Sequence, residues 1–284
     1  MKHLESILWS LVLVLLCGCG RGGITSDSIS RPTARPILGP SSDPAPLVRS
    51  MGGDWQFNAT STVPETPPLA IAGSIFQTGT SVSGALHVDG SNCFDRMTTV
   101  RLTGTLTGGN MSVITTPVAG QVITLTGDIT DTALTDGRFT GTYAINGGCA
   151  NGEQGNVTGI RIPSIANIFN GTFTSSGGET FDVAGNMGQD AISSSDEASF
   201  GITGTVTFSK ACFSSGTITT GRFPSGSYIL GMSVALAIAT DNGTAAFLGT
   251  LNPDTSEITG NYTVSGSTCD QSGTALLVSN PWDY

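Results

Sequence analysis

From residue 53 onward the chain alternates apolar and polar positions in short runs. Phe200, Ile202, Val206 and Phe208 fall on one side of an extended strand, and Thr203, Thr205, Thr207 and Ser209 on the other. Val100, Leu102 and Leu106 alternate with Arg101, Thr103, Thr105 and Thr107; Ile258, Tyr262 and Val264 alternate with Thr259, Asn261, Thr263 and Ser265. A period of two with β-branched Thr outside marks half-buried strands. Between the runs sit turn signals: Asp89-Gly90, Gly108-Gly109, Asp136-Gly137, Gly177-Gly178 and Asp241-Asn242-Gly243. After residue 20 no stretch carries a convincing helical period. Such spacing predicts antiparallel sheet rather than βαβ units.

The pattern is written twice. Cys93-Phe94 recurs as Cys212-Phe213, and Phe139-Thr-Gly-Thr-Tyr143 as Ile258-Thr-Gly-Asn-Tyr262, both at an offset of 119. Cys149 recurs as Cys269, and Val82–Leu86 as Ile202–Val206, both at an offset of 120. Ordered landmarks at a nearly constant shift indicate a tandem duplication. The predicted organisation is a signal segment over 1–19, a linker over 20–51, and β units over 52–163 and 168–281.

One motif (apolar, Ser/Thr, Gly, any residue, apolar) occurs at Val82–Leu86, Leu102–Leu106, Leu125–Ile129, Phe139–Tyr143, Ile202–Val206 and Ile258–Tyr262. Its Gly shares a face with the two apolar residues and so points inward. An inward Gly lets a strand coil sharply, as closed sheets need. The expected fold is all-β: two tandem antiparallel domains, each a small up-and-down barrel or a β-sandwich. The start of the second unit, Asn170-Gly-Thr-Phe173 followed by Phe181-Asp-Val183 and Gly201–Thr205, loosely resembles the opening hairpin of avidin-type or lipocalin-type meander barrels over roughly 35 residues; the likeness is one of fold and carries no ligand.

At the N-terminus Ile7–Leu16 is an apolar core of about ten residues, too short to span a bilayer but fitting a signal peptide. It runs into Leu16-Cys17-Gly18-Cys19, which resembles the lipobox of bacterial lipoproteins, with Leu three positions and a small residue one position before the modified cysteine. The resemblance implies that Cys19 carries acyl chains and anchors the chain to a membrane. Cys17, preceded by Leu16, fits less well. No Asp follows Cys19 to oppose outer-membrane sorting, so the expected location is the cell envelope, at the outer membrane facing the periplasm or the cell surface. The following stretch, with Pro32, Pro36, Pro40, Pro44 and Pro46, reads as a semi-rigid, unstructured spacer.

Four further cysteines form an even set in a chain with an export signal, which argues for disulfides. Of the three possible pairings, the duplication selects Cys93–Cys149 and Cys212–Cys269, giving each unit the same bridge. Each would close a long loop and contribute on the order of 3–4 kcal/mol in the chain-entropy model.

Of the 284 residues only 11% are charged, and 11 Lys+Arg stand against 21 Asp+Glu for a net charge of −10. There is no basic footprint for nucleic acid. Beyond the signal segment His87 is the sole histidine, and the alternation points it outward on its strand; no Gly-x-Ser-x-Gly elbow accompanies it. Asp89, Asp136, Asp241 and Asp254 sit at turns, where Asx hydrogen bonding accounts for them. Asp128/Asp131/Asp136 and Asp190/Asp196/Glu197 are the loop clusters that calcium would use, but neither has an EF-hand pattern, so neither metal nor cofactor is expected.

These readings predict a membrane-anchored lipoprotein that displays two disulfide-bridged β domains in a structural or interaction role, without catalysis. Its protein, glycan or small-molecule partner is not written in the sequence. The alternative is a small-ligand or glycan carrier that uses the barrel interior, with Trp55, Tyr143 and Tyr262 lining a mouth. A hydrolase built on two converging acids ranks below both.

Overall fold

The computed structural model describes residues 50–90, 93–94, 98–130, 137–190, 198–266 and 268–279. The signal segment, Cys17, Cys19 and the linker up to residue 49 lie outside the described residues, as do Asp131, Asp136, Asp196 and Glu197. Every regular element described is a strand.

The first unit comprises β1 (Gly53–Ser61), β2 (Leu69–Thr78), β3 (Ser81–Asp89), β4 (Thr98–Thr107), β5 (Asn110–Thr115), β6 (Val122–Ile129), β7 (Arg138–Asn146) and β8 (Gln154–Ile162). Each strand pairs antiparallel with the next, and β8 returns to β1 with Arg161 opposite Trp55 and Gly159 opposite Phe57, closing a barrel. The second unit comprises β9 (Asn167–Ser175), β10 (Thr180–Gln189), β11 (Phe200–Lys210), β12 (Phe213–Ile218), β13 (Tyr228–Leu230), β14 (Ser233–Thr240), β15 (Gly243–Asn252), β16 (Glu257–Ser265) and β17 (Gln271–Ser279). Here β17 closes onto β9, with Ala275 opposite Phe173. Both units are therefore closed up-and-down barrels rather than sandwiches.

The second barrel has eight staves because β12 and β13 are two pieces of one. Both lie between β11 and β14: Ile218 pairs with Gly204 and Ile238, and Tyr228 with Gly201 and Ala235. Residues 219–227 leave the sheet between them, and Ser227 repairs the ladder with its side chain. Its Oγ accepts from Ala237 N at 2.8 Å and donates to Ala237 O at 3.2 Å.

Inward glycines close the curve. Gly127 and Gly141 are cross-strand partners on β6 and β7. A Cβ on Gly127 would lie 2.5 Å from the Gly141 Cα, and 2.8 Å from the Phe139 ring that lies over the pair. Gly249 and Gly260 repeat the arrangement in the second barrel, under the Phe247 ring. No side chain fits where the backbones approach this closely, so Gly is the residue that permits the bend.

Each barrel buries its own core. Trp55, Phe57, Leu102, Phe139 and Tyr143 are among those filling the first, and Phe173, Phe181, Phe208, Phe213, Phe247 and Tyr262 fill the second. The bridges Cys93–Cys149 and Cys212–Cys269 are both formed, with sequence separations of 56 and 57 residues. Every described strand, both bridges and both cores fall within residues 50–279, so this segment carries the two barrels.

The barrels are also packed against each other. Ala72 and Ile162 point outward from the first barrel, yet they are only 0% and 2% exposed and belong to the second barrel's hydrophobic cluster. Ala70 and Ile160 lie beside them. The structure thus has two separate interiors and one seam between them.

Candidate functional site

Three aromatic residues stand out in the sequence. Trp55 is fully buried at one end of the first barrel, where its Nε1–H donates to Met51 O at 2.8 Å and its ring stacks on Phe57. The Arg161 guanidinium covers it, with Cζ 5.6 Å from the ring centre. Tyr143 lies toward the other end, level with Gly155 and Ser61, where its hydroxyl donates to Glu153 Oε1 at 2.8 Å. Burial, together with that hydrogen bond, pushes its phenol up to about 12. Tyr262 sits in the second barrel with its ring 4.6 Å from that of Phe173. The structure does not bring the three together.

The interior of the second barrel is taken up by its own rings. Phe173 contacts Phe181, Phe208, Phe247 and Tyr262 at centroid distances of 4.6–6.3 Å, and Phe213 packs on Phe181 and Phe208. Among the described residues the Tyr262 hydroxyl has no hydrogen-bond partner. Gln271 stands where Glu153 stands in the first barrel, and its Nε2 is likewise buried without one.

His87 points outward on β3 as the alternation predicts, but it is half-buried rather than exposed, and it pairs across the sheet with the seam residue Ala72. Its Nδ1 has no partner among the described residues, and burial pushes its pKa below the ordinary histidine value. Of the loop acids, Asp128 accepts from Asn110 Nδ2 at 3.2 Å, and Asp241 accepts from the Ser214 hydroxyl at 2.9 Å, which holds its carboxyl low. Among the described residues no group of three or more His, Cys, Asp or Glu is placed to hold a metal.

The polar groups that do converge lie along the seam. Asp54 on β1 accepts from the Ser74 hydroxyl at Oδ1 and from Gln189 Nε2, on β10 of the second barrel, at Oδ2 (2.7 Å). Gln189 Oε1 in turn accepts from Ile165 N at 3.1 Å. Burial pushes the Asp54 carboxyl above its ordinary range despite these two donors. Gln56, two residues along, reaches across at both ends of its amide: Oε1 accepts from Gly231 N at 2.6 Å, and Nε2 donates to Ala198 O at 2.7 Å.

Two cavities flank this latch. One, of about 310 Å³, adjoins the joint between the barrels and is lined by Asp54, Arg161, Phe169, Pro253, Ser256 and Ser279 among others. The other, of about 440 Å³, opens on the outer face of β8, β1 and β2, beneath Leu230 and Gly231 of the second barrel. Further grooves lie on the Thr-rich outer faces of both barrels.

Alternation alone assigned the outward positions to solvent and so missed the seam. The available signal was the loss of alternation in Leu69–Ile75, a nearly continuous apolar run on β2 that is buried on both faces.

No protein-family model and no curated protein sequence matches the chain. Among solved structures it is similar to a provisionally assigned AttH protein from Nitrosomonas europaea, at 9% identity over 86% of this chain and 99% of that one, with a TM-score of 0.26. It is also similar to kievitone hydratase from Nectria haematococca (10% identity, 82% and 90% coverage, TM-score 0.23) and to a porin-like protein from Bacteroides uniformis (12% identity, 81% and 96% coverage, TM-score 0.15).

Proposed function

We propose that the chain is a lipid-anchored envelope protein, held to a membrane through Cys19, whose two interlocked barrels act as a rigid binding module without catalysis. The observation that carries the second half is the use of the inward side chains. They fill the barrels with their own aromatic and aliphatic groups, which leaves the outer faces, the loops and the seam for partners. This weighs against a carrier that holds its ligand inside a barrel. The acid whose pKa is raised, Asp54, is spent on holding the barrels together, with both oxygens already bonded. Two disulfides support an oxidising compartment, which is where a signal segment would deliver the chain.

The anchor is tested by expressing the chain in a bacterium that processes lipoproteins and supplying labelled palmitate. Label and membrane association are expected in the parent and in Cys17→Ser, and loss of both in Cys19→Ser. Label retained by Cys19→Ser would overturn the assignment.

A further inference from the structure

We infer that the cleft beside the seam is a binding site for a small, neutral, mostly apolar molecule bearing one hydrogen-bonding oxygen. The site belongs to neither barrel alone. Its floor is the outer face of the first barrel, where cross-strand pairs Gln56–Ile160 and Asn58–Thr158 lie beside Ala70. Its roof is the turn Leu230-Gly231 of the second barrel. At about 440 Å³ it has the size of cavities that hold small ligands.

Three observations set the chemistry of the occupant. Among the described residues no charged side chain lines the cleft, so an ionic ligand would find no counter-charge there to offset its lost hydration. The apolar lining comes from Ile160, Leu230, Ala70 and Pro68, which favours a hydrocarbon or aromatic body. Two amide side chains face the space, but they differ in what they have left to offer. Gln56 is committed at both ends to Gly231 and Ala198, which fixes the roof over the floor before any ligand arrives. Asn58 is exposed, and its side chain, unlike its backbone, bonds to none of the described residues, so its amide is free to donate to a carbonyl or hydroxyl. A preformed, largely apolar slot with the Asn58 amide and the Thr158 hydroxyl side by side on its floor selects a neutral molecule and orients it by its oxygen. The site stands whether or not Cys19 is acylated.

The test uses residues 46–284, which contain both barrels, and the neutral carbonyl-bearing dye Nile red. Saturable one-to-one binding is expected, with a dissociation constant on the order of 10 μM for a ligand of this size. Thr158→Trp and Asn58→Trp fill the cleft from exposed floor positions and are each expected to weaken binding at least about tenfold. Asn58→Ala is expected to weaken it about fivefold through the lost hydrogen bond. Thr126→Trp, on the outer face of β6, should leave binding unchanged. Thermal unfolding at the parent temperature confirms that each variant is folded. Absence of saturable binding overturns the site, as does binding that survives both cleft-filling variants. Equal affinity for the anionic dye 1-anilinonaphthalene-8-sulfonate, displaced by Nile red, overturns the ligand class.

Discussion

Asp54 of the first barrel and Gln189 of the second are joined by a hydrogen bond of 2.7 Å, carboxylate to amide, across the seam. The bond puts a partly buried acid where the two halves meet, and its ionisation is therefore tied to how firmly they hold. Burial raises the folded-state pKa of Asp54 above the unfolded value of 3.8. The folded state then binds more protons in the window just above 3.8, so stability is full below that pH and falls as pH rises through the folded pKa. Asp54→Asn removes this fall. An Asn there can still accept from Gln189 and donate to the Ser74 hydroxyl, so at pH 7 its urea midpoint should equal or exceed that of the parent. Asp54→Ala removes the acceptor of Gln189 Nε2 and of one Ser74 bond and is expected to cost about 1–3 kcal/mol. Urea titrations at pH 4 and pH 7 check all three chains.

His87 acts in the opposite direction. Its folded pKa lies below the unfolded value of 6.5, so the unfolded chain takes up the proton first. The stability it contributes is present above 6.5 and is lost as pH falls toward the folded pKa. His87→Gln should flatten the decline in unfolding temperature between pH 7 and pH 5, and an unchanged slope would remove His87 as its source.

The two buried tyrosines occupy equivalent positions with unequal partners. Tyr143→Phe removes a bond to Glu153 and leaves that carboxylate short of a donor, with an expected cost of about 1–2 kcal/mol. Tyr262→Phe removes a hydroxyl that bonds to none of the described residues, and is expected to change stability by less than about 0.5 kcal/mol. Chemical denaturation of the two variants side by side reads the difference.

The glycine pairs predict where the barrels will not tolerate a side chain. Gly141→Val puts a methyl-bearing carbon 2.7 Å from the Gly127 Cα and 2.2 Å from Thr126 O, and Gly260→Val meets Leu248 O at 2.1 Å. Backbone cannot yield as a flexible side chain can, so each is expected to cost about 3 kcal/mol or more. Gly79→Val is the control for inserting a β-branched residue in open space: nothing lies within 4 Å of its Cβ, and its cost is confined to the strained φ of 59°. Thermal melts of the three variants rank them.

Much of this architecture was legible in the residues. Alternation such as Phe200/Ile202/Val206/Phe208 places strands because one face of a barrel stave is dry and the other wet. The inward Gly of Phe139-Thr-Gly-Thr-Tyr143 announces closure because only a strongly coiled sheet needs it. The duplication chose the disulfide pairing. What alternation left unread was the seam, although the unbroken apolar run Leu69–Ile75 marks a strand covered on both faces. Ala72 and Ile162 sit at outward positions and are buried because a second barrel covers them, and local periodicity does not say what the covering element is. The split stave escaped for a related reason. Phe213–Ile218 and Tyr228–Leu230 are too short to look like halves of one strand when Gly221, Pro224 and Gly226 lie between them. The cleft follows from the seam and was invisible with it.

Closure by the last strand imposes an order of assembly. The first barrel needs β8 to reach β1 and is complete once residue 162 has emerged from the ribosome or a translocation channel, whereas the second stays open until β17 emerges to meet β9. For the intervening stretch of synthesis, the finished first barrel presents Ala72 and Ile162 uncovered. Those two side chains, with Ala70 and Ile160 beside them, are the surface that the second barrel covers last, when its own sheet closes.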